Sequence, residues 1–342
     1  MKKQIVPTAV MLMAISVIFS SPIIAQSMSG YHLSKSIHID GNGSWDYLIA
    51  DSKTRQLYVT HSDTISVINM DSGKVVGEIG GLSRAHGVAV VDALGLGYIS
   101  NGGSDKITIF DLKNLEIKAS LPAGKNPDAI IYDPFSKRVF AFNHSGGDVT
   151  VIDPAENKIV GTINVGGELE YGVSDENGAI FVNVEDRNEI VKIDSINLNV
   201  LSRWSIAPCE APTGIALDRE THRLFSSCSD NAMLAVVNAD DGHLVTEVKI
   251  GEGSDGTRFD PATKQIITSN GEGSLSIIQE DNADSYHVVQ TVKTLPGART
   301  LEVDLDTHRI YTATSQFSPA LKNSNSRPER LEGTFRVMEF TP

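Results

Sequence analysis

One pattern recurs along most of the 342 residues: an apolar run, a short turn, and a second apolar run. It reads "WDYLIADSKTRQLYVTH" (45–61), "HGVAVVDALGLGYISN" (86–101), "PDAIIYDPFSKRVFAFN" (127–143) and "EYGVSDENGAIFVNV" (170–184). It continues as "PTGIALDRETHRLFSSC" (212–228), "SDGTRFDPATKQIITSN" (254–270) and "ARTLEVDLDTHRIYTAT" (298–314). The residue that opens the turn is Asp51, Val91, Asp133, Asp175, Asp218, Asp260 and Asp304, a spacing of 40 to 44 residues. Seven copies at so steady a period predict a repeat architecture. Two further strands follow in each copy, as in "TISVINMDSGKVVGEIGG" (64–81) and "DVTVIDPAENKIVGTINVG" (148–166). Alternating Val and Ile favour the pleated conformation, and Asp, Pro, Gly and Asn supply the turns. Four antiparallel strands per copy make a propeller blade, and a ring lets every blade bury both faces. After "GTFRVMEF" (333–340) the seventh copy lacks a fourth strand. The segment "LSKSIHIDG" (33–41) resembles the fourth strands of other copies and is expected to fill that place. The predicted fold is all-β: a seven-bladed β-propeller of four-stranded antiparallel blades, closed by an N-terminal outer strand in the last blade. Gly is plentiful at 29 residues and aromatics are few at 6%, a balance suited to short strands and turns.

The second strands carry "YVTH" at Tyr58–His61 and "YISN" at Tyr98–Asn101, with weaker forms "FAFN" (140–143) and "ITSN" (267–270). On these motifs the chain resembles the YVTN-repeat β-propeller family, which includes the YncE-like periplasmic proteins. "FVNV", "FSSC" and "YTAT" depart from the motif at its fourth position. The resemblance spans nearly the whole chain after its first residues. It implies the fold and a periplasmic compartment, and a binding or scaffold role with no particular ligand.

The N-terminus reads as an export signal. Lys2 and Lys3 precede an apolar run from about Val10 to Phe19, and "SSPIIAQ" offers cleavage after Ala25. Residues 1–25 are thus expected to leave residues 26–342 as one propeller domain, periplasmic or secreted, without a membrane span. Net charge is −14, and losing Lys2 and Lys3 takes it to about −16. That charge, with no basic run, disfavours nucleic acid as a partner. A monomer with a small-molecule, peptide or protein partner is expected. Export permits a disulfide between the only two cysteines, Cys209 and Cys228. Both flank the first hairpin of the fifth copy. The segment 323–333, with Arg327 and Arg330, reads as an insertion in the last blade.

In a propeller the start of the innermost strand and the end of the second strand lie on one face, near the channel mouth. Five residues before each turn anchor stand Asp46, His86, Asp128, Glu170, Thr213, Asp255 and Arg299, all polar. A second set ends strand two: His61, Asn101, Asn143 and Asn270, with Val184, Cys228 and Thr314 in the other copies. His144 and Glu185 follow directly. Together these polar residues are candidates for a ligand site at the mouth. The same Asp and Asn residues could instead order backbone turns, so both readings stand. Two carboxylates about 8 Å apart repel by roughly 2 kcal/mol at an effective dielectric of 20. A cationic ligand, or a hard cation such as Ca²⁺ or Mg²⁺, therefore fits better than a phosphate. No organic cofactor is expected, since no haem-attachment motif, nucleophile elbow or phosphate loop occurs. A non-enzymatic role is favoured. The alternative is a metal-dependent hydrolase or lactonase built on His86, Asp128 and Glu170.

Overall fold

The computed structural model describes residues 1, 30–41, 43–318 and 329–342. Residues 2–25 of the expected export signal, and Arg327 with most of the expected insertion, lie outside them. Among the described residues the chain forms seven four-stranded antiparallel sheets, with two short 3₁₀ turns and otherwise strands and loops. It is a seven-bladed, all-β propeller. The innermost strands are Leu48–Asp51, Ala85–Val91, Pro127–Asp133, Leu169–Ser174, Pro212–Asp218, Ser254–Asp260 and Leu301–Asp304. Each touches the next and the last touches the first, so they form a closed circle. In the seventh sheet the outermost strand is His32–His38, paired antiparallel with Arg336–Thr341. Among the described residues no helix is long and apolar enough to cross a membrane.

The repeat dictates its own hairpin. Asp133 accepts hydrogen bonds from the backbone N–H of Phe135 and Ser136 at 3.3 and 3.0 Å. Asp51, Asp175, Asp218, Asp260 and Asp304 hold their turns in the same way. Where the anchor is Val91, a 3₁₀ turn, Asp92–Leu94, takes over. The last turn residue is left-handed in every copy: Arg55, Gly95, Lys137, Gly178, His222, Lys264 and His308 all have positive φ. The anchoring carboxylate offsets the cost of placing non-glycine residues there.

Packing follows from alternation. Inner strands are buried on both faces, while outer strands such as Lys74–Ile79 are mostly exposed. Seven apolar clusters fill the seven seams between neighbouring blades. The seam between the third and fourth blades joins Phe140, Phe142 and Val149 to Ile180, Val182 and Val191. Each fully buried side chain of this kind contributes roughly 1.5–3 kcal/mol. Every blade depends on two neighbours, so the ring is stable only as a whole. Cys209 and Cys228 are joined in a disulfide that ties the entry of the fifth blade to the end of its second strand.

Candidate functional site

The starts of the innermost strands build one cavity. In five blades the pairing of strands one and two shifts register at the mouth, between Ala85 and Val88, Pro127 and Ile130, Leu169 and Gly172, Pro212 and Ile215, and Ser254 and Gly256. A bulge re-aims the side chain it contains. Here it turns His86, Asp128, Glu170, Thr213 and Asp255 toward the axis, and all five line the cavity with Asp46 and Arg299. The cavity measures about 660 Å³. His144 and Glu185, from the loops after strand two, also line it, as do Arg84, Asp105 and Lys125. Close approach of neighbouring strands is required behind this layer. A Cβ on Gly214 would meet the backbone N of Thr257 at 2.5 Å, too close for any other residue.

The charged members form a chain around the mouth. Arg299 Nε lies 2.7 Å from Asp255, and its Nη2 lies 3.7 Å from Asp46. His86 Nδ1 stands between Asp46 at 2.5 Å and Asp128 at 2.8 Å. His144 Nδ1 is 3.1 Å from Glu170. Burial opposes charge on His86, but Asp128 and Asp46 outweigh it and push the imidazole up to about 10. The Glu170 contact, against burial, raises His144 to about 9. Burial raises Glu170 well above the usual carboxylate range, with His144 opposing. Burial likewise raises Asp255, with Arg299 opposing, and Glu185. Carboxylates remain in excess around Glu170, Glu185 and Asp255, where a cation would be welcome. Thr213 contributes differently, since its hydroxyl donates to Ser254 O at 2.7 Å and links neighbouring blades.

The second predicted set does not reach the cavity. Asn101 donates to Ile99 O and Thr108, Asn143 to Asp148 and Thr150, and Asn270 to Ser274 and Ser276. At the end of strand two the side chain turns into its own blade and ties the next hairpin. His61 stacks on Phe335, with ring centroids 4.1 Å apart, and burial lowers its pKa. Arg330 packs over Trp45 and donates to Gly43 O. These residues order turns and loops, as the structural alternative for Asn described.

The channel below the cavity is filled by four side chains that sequence reasoning passed over. Tyr47 and Tyr171 stack at 5.1 Å. Arg258 lies over Tyr171 at 4.4 Å and pairs with Glu302 at 3.1 Å. Tyr47 Oη donates to Glu170 at 3.5 Å, so the layer also supports the mouth. A signal for it exists in the repeat. Three residues after the mouth position, other copies carry Ile49, Ala89, Ile131, Val173 and Ala216, whereas adjacent blades six and seven carry Arg258 and Glu302. Opposite charges at an otherwise apolar position of neighbouring repeats point to a buried pair. This layer forms a floor under the Glu170 side of the cavity.

With this geometry in view, a family profile described as YNCE-like beta-propeller matches residues 20–179. It bears out the resemblance read from the repeat motifs. No curated protein matches the chain. Solved structures match across most of their lengths at low identity. Hydrazine synthase from Kuenenia stuttgartiensis aligns with TM-score 0.70 and 14% identity, over 80% of this chain and 94% of that one. The WD40 repeats of RRP9 align at 0.74 and 11%, over 90% and 97%. A chain of a mitotic checkpoint complex aligns at 0.76 and 12%, over 98% and 99%. At such identities the likeness is one of fold alone.

Proposed function

We propose that this YncE-like propeller is an exported, non-enzymatic binding protein that takes a small cation-bearing ligand into its acidic cavity. One observation carries the reading: side chains from all seven blades converge on one cavity, where the five carboxylates Asp46, Asp128, Glu170, Glu185 and Asp255 outnumber the three cationic groups His86, His144 and Arg299 set among them. A carboxylate-rich pocket raises the local concentration of cations and disfavours anions. The same field, with the net charge of −14, disfavours nucleic acid. Export is supported by the basic and apolar start of the chain and by the Cys209–Cys228 disulfide, which suits an oxidising compartment. The working unit is residues 26–342 as a single monomeric domain, periplasmic or secreted.

A thermal-shift screen on the exported chain tests this, with amines, basic peptides, neutral sugars and metal salts. Cationic ligands are expected to raise the melting temperature, and Glu170→Gln is expected to reduce that shift. A shift with anions or sugars alone would refute the cation preference. Turnover in a lactone and ester panel, abolished by Asp128→Asn, would replace binding with hydrolysis.

A further inference from the structure

Within the cavity, the strand starts of blades one, two and three bring Asp46, His86 and Asp128 together around a single imidazole nitrogen. Oδ2 of Asp46 and Oδ1 of Asp128 lie 2.5 and 2.8 Å from Nδ1 of His86. That nitrogen can carry one hydrogen, and the geometry directs it to Asp46. Asp128 Oδ1 is fully buried, on a residue only 8% exposed, and its one polar neighbour is that same Nδ1. One proton therefore serves one carboxylate and leaves the other short of a partner. On the far side of the ring, Nε2 of His86 is also buried without a partner, as is Oδ1 of Asn126. Both converge on Gly102, where a Cβ would meet them at 2.6 and 2.4 Å. The two do not bond to each other here, but an acceptor brought onto the distal N–H is what a metal-bound histidine needs to fix its tautomer.

We infer that Asp46, His86 and Asp128 form a mononuclear site for a divalent first-row transition-metal ion, such as Mn²⁺ or Zn²⁺, with Asn126 as the outer acceptor for His86. The three donor atoms lie within 4.8 Å of one another, close enough to share one ion. An ion at that point replaces the Nδ1 proton and satisfies both carboxylates at once, with its charge balanced by theirs. One nitrogen and two carboxylate oxygens suit manganese, iron or zinc better than an all-oxygen hard-cation site does. Three protein ligands leave further coordination positions facing the cavity. The inference rests on the reading of the cavity as a cation-binding site, and narrows that cation to a metal ion.

The test uses the full exported chain after chelation and dialysis. Binding of Mn²⁺, Zn²⁺ and Ca²⁺ is measured by calorimetry beside putrescine, an organic dication. One Mn²⁺ or Zn²⁺ per chain is expected, in preference to Ca²⁺. Asp128→Asn and His86→Gln should each weaken it at least about 100-fold, beyond the 10–100-fold typical of an outer-shell partner. Should either variant fail to fold, paramagnetic broadening by Mn²⁺ on the native chain decides. The His86 resonances should broaden first, before those of the exposed His222, His243 and His287. Unchanged affinity in both variants, or broadening confined to the exposed histidines, overturns the site and identifies an adventitious ion only. Putrescine binding without metal binding overturns the metal site and leaves the cavity reading standing. Binding of neither overturns both.

Discussion

At the turn end of six of the seven innermost strands an aspartate sits among backbone N–H groups; at the mouth end the matching side chains sit among one another. The distance along the chain is five residues, and the residue types overlap. Asp133 and Asp128 belong to the same strand. Asp133 accepts from two backbone amides and from Ser174 Oγ at 2.6 Å, so every donor is part of the fold. Asp128 faces His86 and the cavity, and its buried Oδ1 has only the imidazole nitrogen that it shares with Asp46. The titration behaviour divides in the same way. Burial pushes Asp133, Asp218 and Asp304 upward, but their hydrogen bonds outweigh it and hold all three below the usual value. At the mouth, burial wins at Glu170, Glu185 and Asp255. Carboxylates that order turns are stabilised as anions by fixed local donors. Carboxylates that crowd a cavity are held by the ring as a whole, and part of their demand is left for a ligand.

The comparison presumes that one closed circle holds both ends, and the harshest way to break it is to open that circle. Deleting residues 31–41 removes the outer strand of the seventh blade together with buried Tyr31, Ile37 and Ile39. Their burial alone is worth roughly 5 kcal/mol. The largest fall in melting temperature is expected here, with loss of ligand shifts as well. An unchanged melting curve would show that the seventh blade stands without its outer strand. The next effect is at a turn. Asp304→Ala strips Thr307 and Ser52 of an acceptor and takes from Arg55 its buried carboxylate partner at 2.7 Å, leaving only the exposed Asp71 at 3.0 Å. A loss of about 3 kcal/mol is expected from chemical denaturation. A loss below about 0.5 kcal/mol would mean that the turn carboxylates are dispensable and the contrast is false.

Acid should separate the two ends without mutation. Asp133, Asp218 and Asp304 have depressed folded-state values, so their stabilisation is complete above the unfolded value of about 3.9 and is lost as pH falls through the folded values. Glu170, Glu185 and Asp255 are raised. Their unfavourable contribution is absent below the unfolded values of about 4 and grows as pH rises toward the folded ones. Urea midpoints measured from pH 2.5 to 7 should therefore fall steeply only below about pH 4. Asp304→Ala should flatten that acid limb. If it leaves the limb unchanged, the turn aspartates are not the groups that titrate there.

The fold was legible because it is written seven times. A pattern of apolar alternation with an anchoring Asp needs no long-range information, and the seven seams follow once the blades are counted. The mouth position was legible for the same reason: one repeat offset collects Asp46, His86, Asp128, Glu170, Thr213, Asp255 and Arg299. What the offset could not convey is direction. Asn101, Asn143 and Asn270 share the mouth face, but their amides find donors and acceptors within reach in their own blade and turn inward. The bulges that turn the mouth residues toward the axis depend on pairing with strand two, which one strand's sequence does not specify. The plug was missed because it departs from the repeat. Arg258 and Glu302 break an apolar position in adjacent blades, and Tyr47 and Tyr171 stand at one offset of blades one and four and meet across the axis.

The smallest effect tests the mouth most directly. Glu170 is buried, paired with His144 and close to other carboxylates. Glu170→Gln removes a favourable partner for His144 and an unfavourable neighbour for Asp128, Asp255 and Glu185. At pH 6.5 these changes oppose one another, and stability should move by less than about 1 kcal/mol. Raising the pH breaks the balance. His144, raised to about 9, contributes stability in full below about 6.5 and loses it as pH climbs through 9. The native chain then holds an anionic Glu170 opposite a neutral imidazole, a strain the variant lacks. Melting temperatures of both proteins, chelator-treated, should converge or cross in the variant's favour between pH 6.5 and 9.5. A variant about 2–3 kcal/mol less stable at every pH would place Glu170 with the turn aspartates, as a structural acceptor rather than a group poised for a ligand.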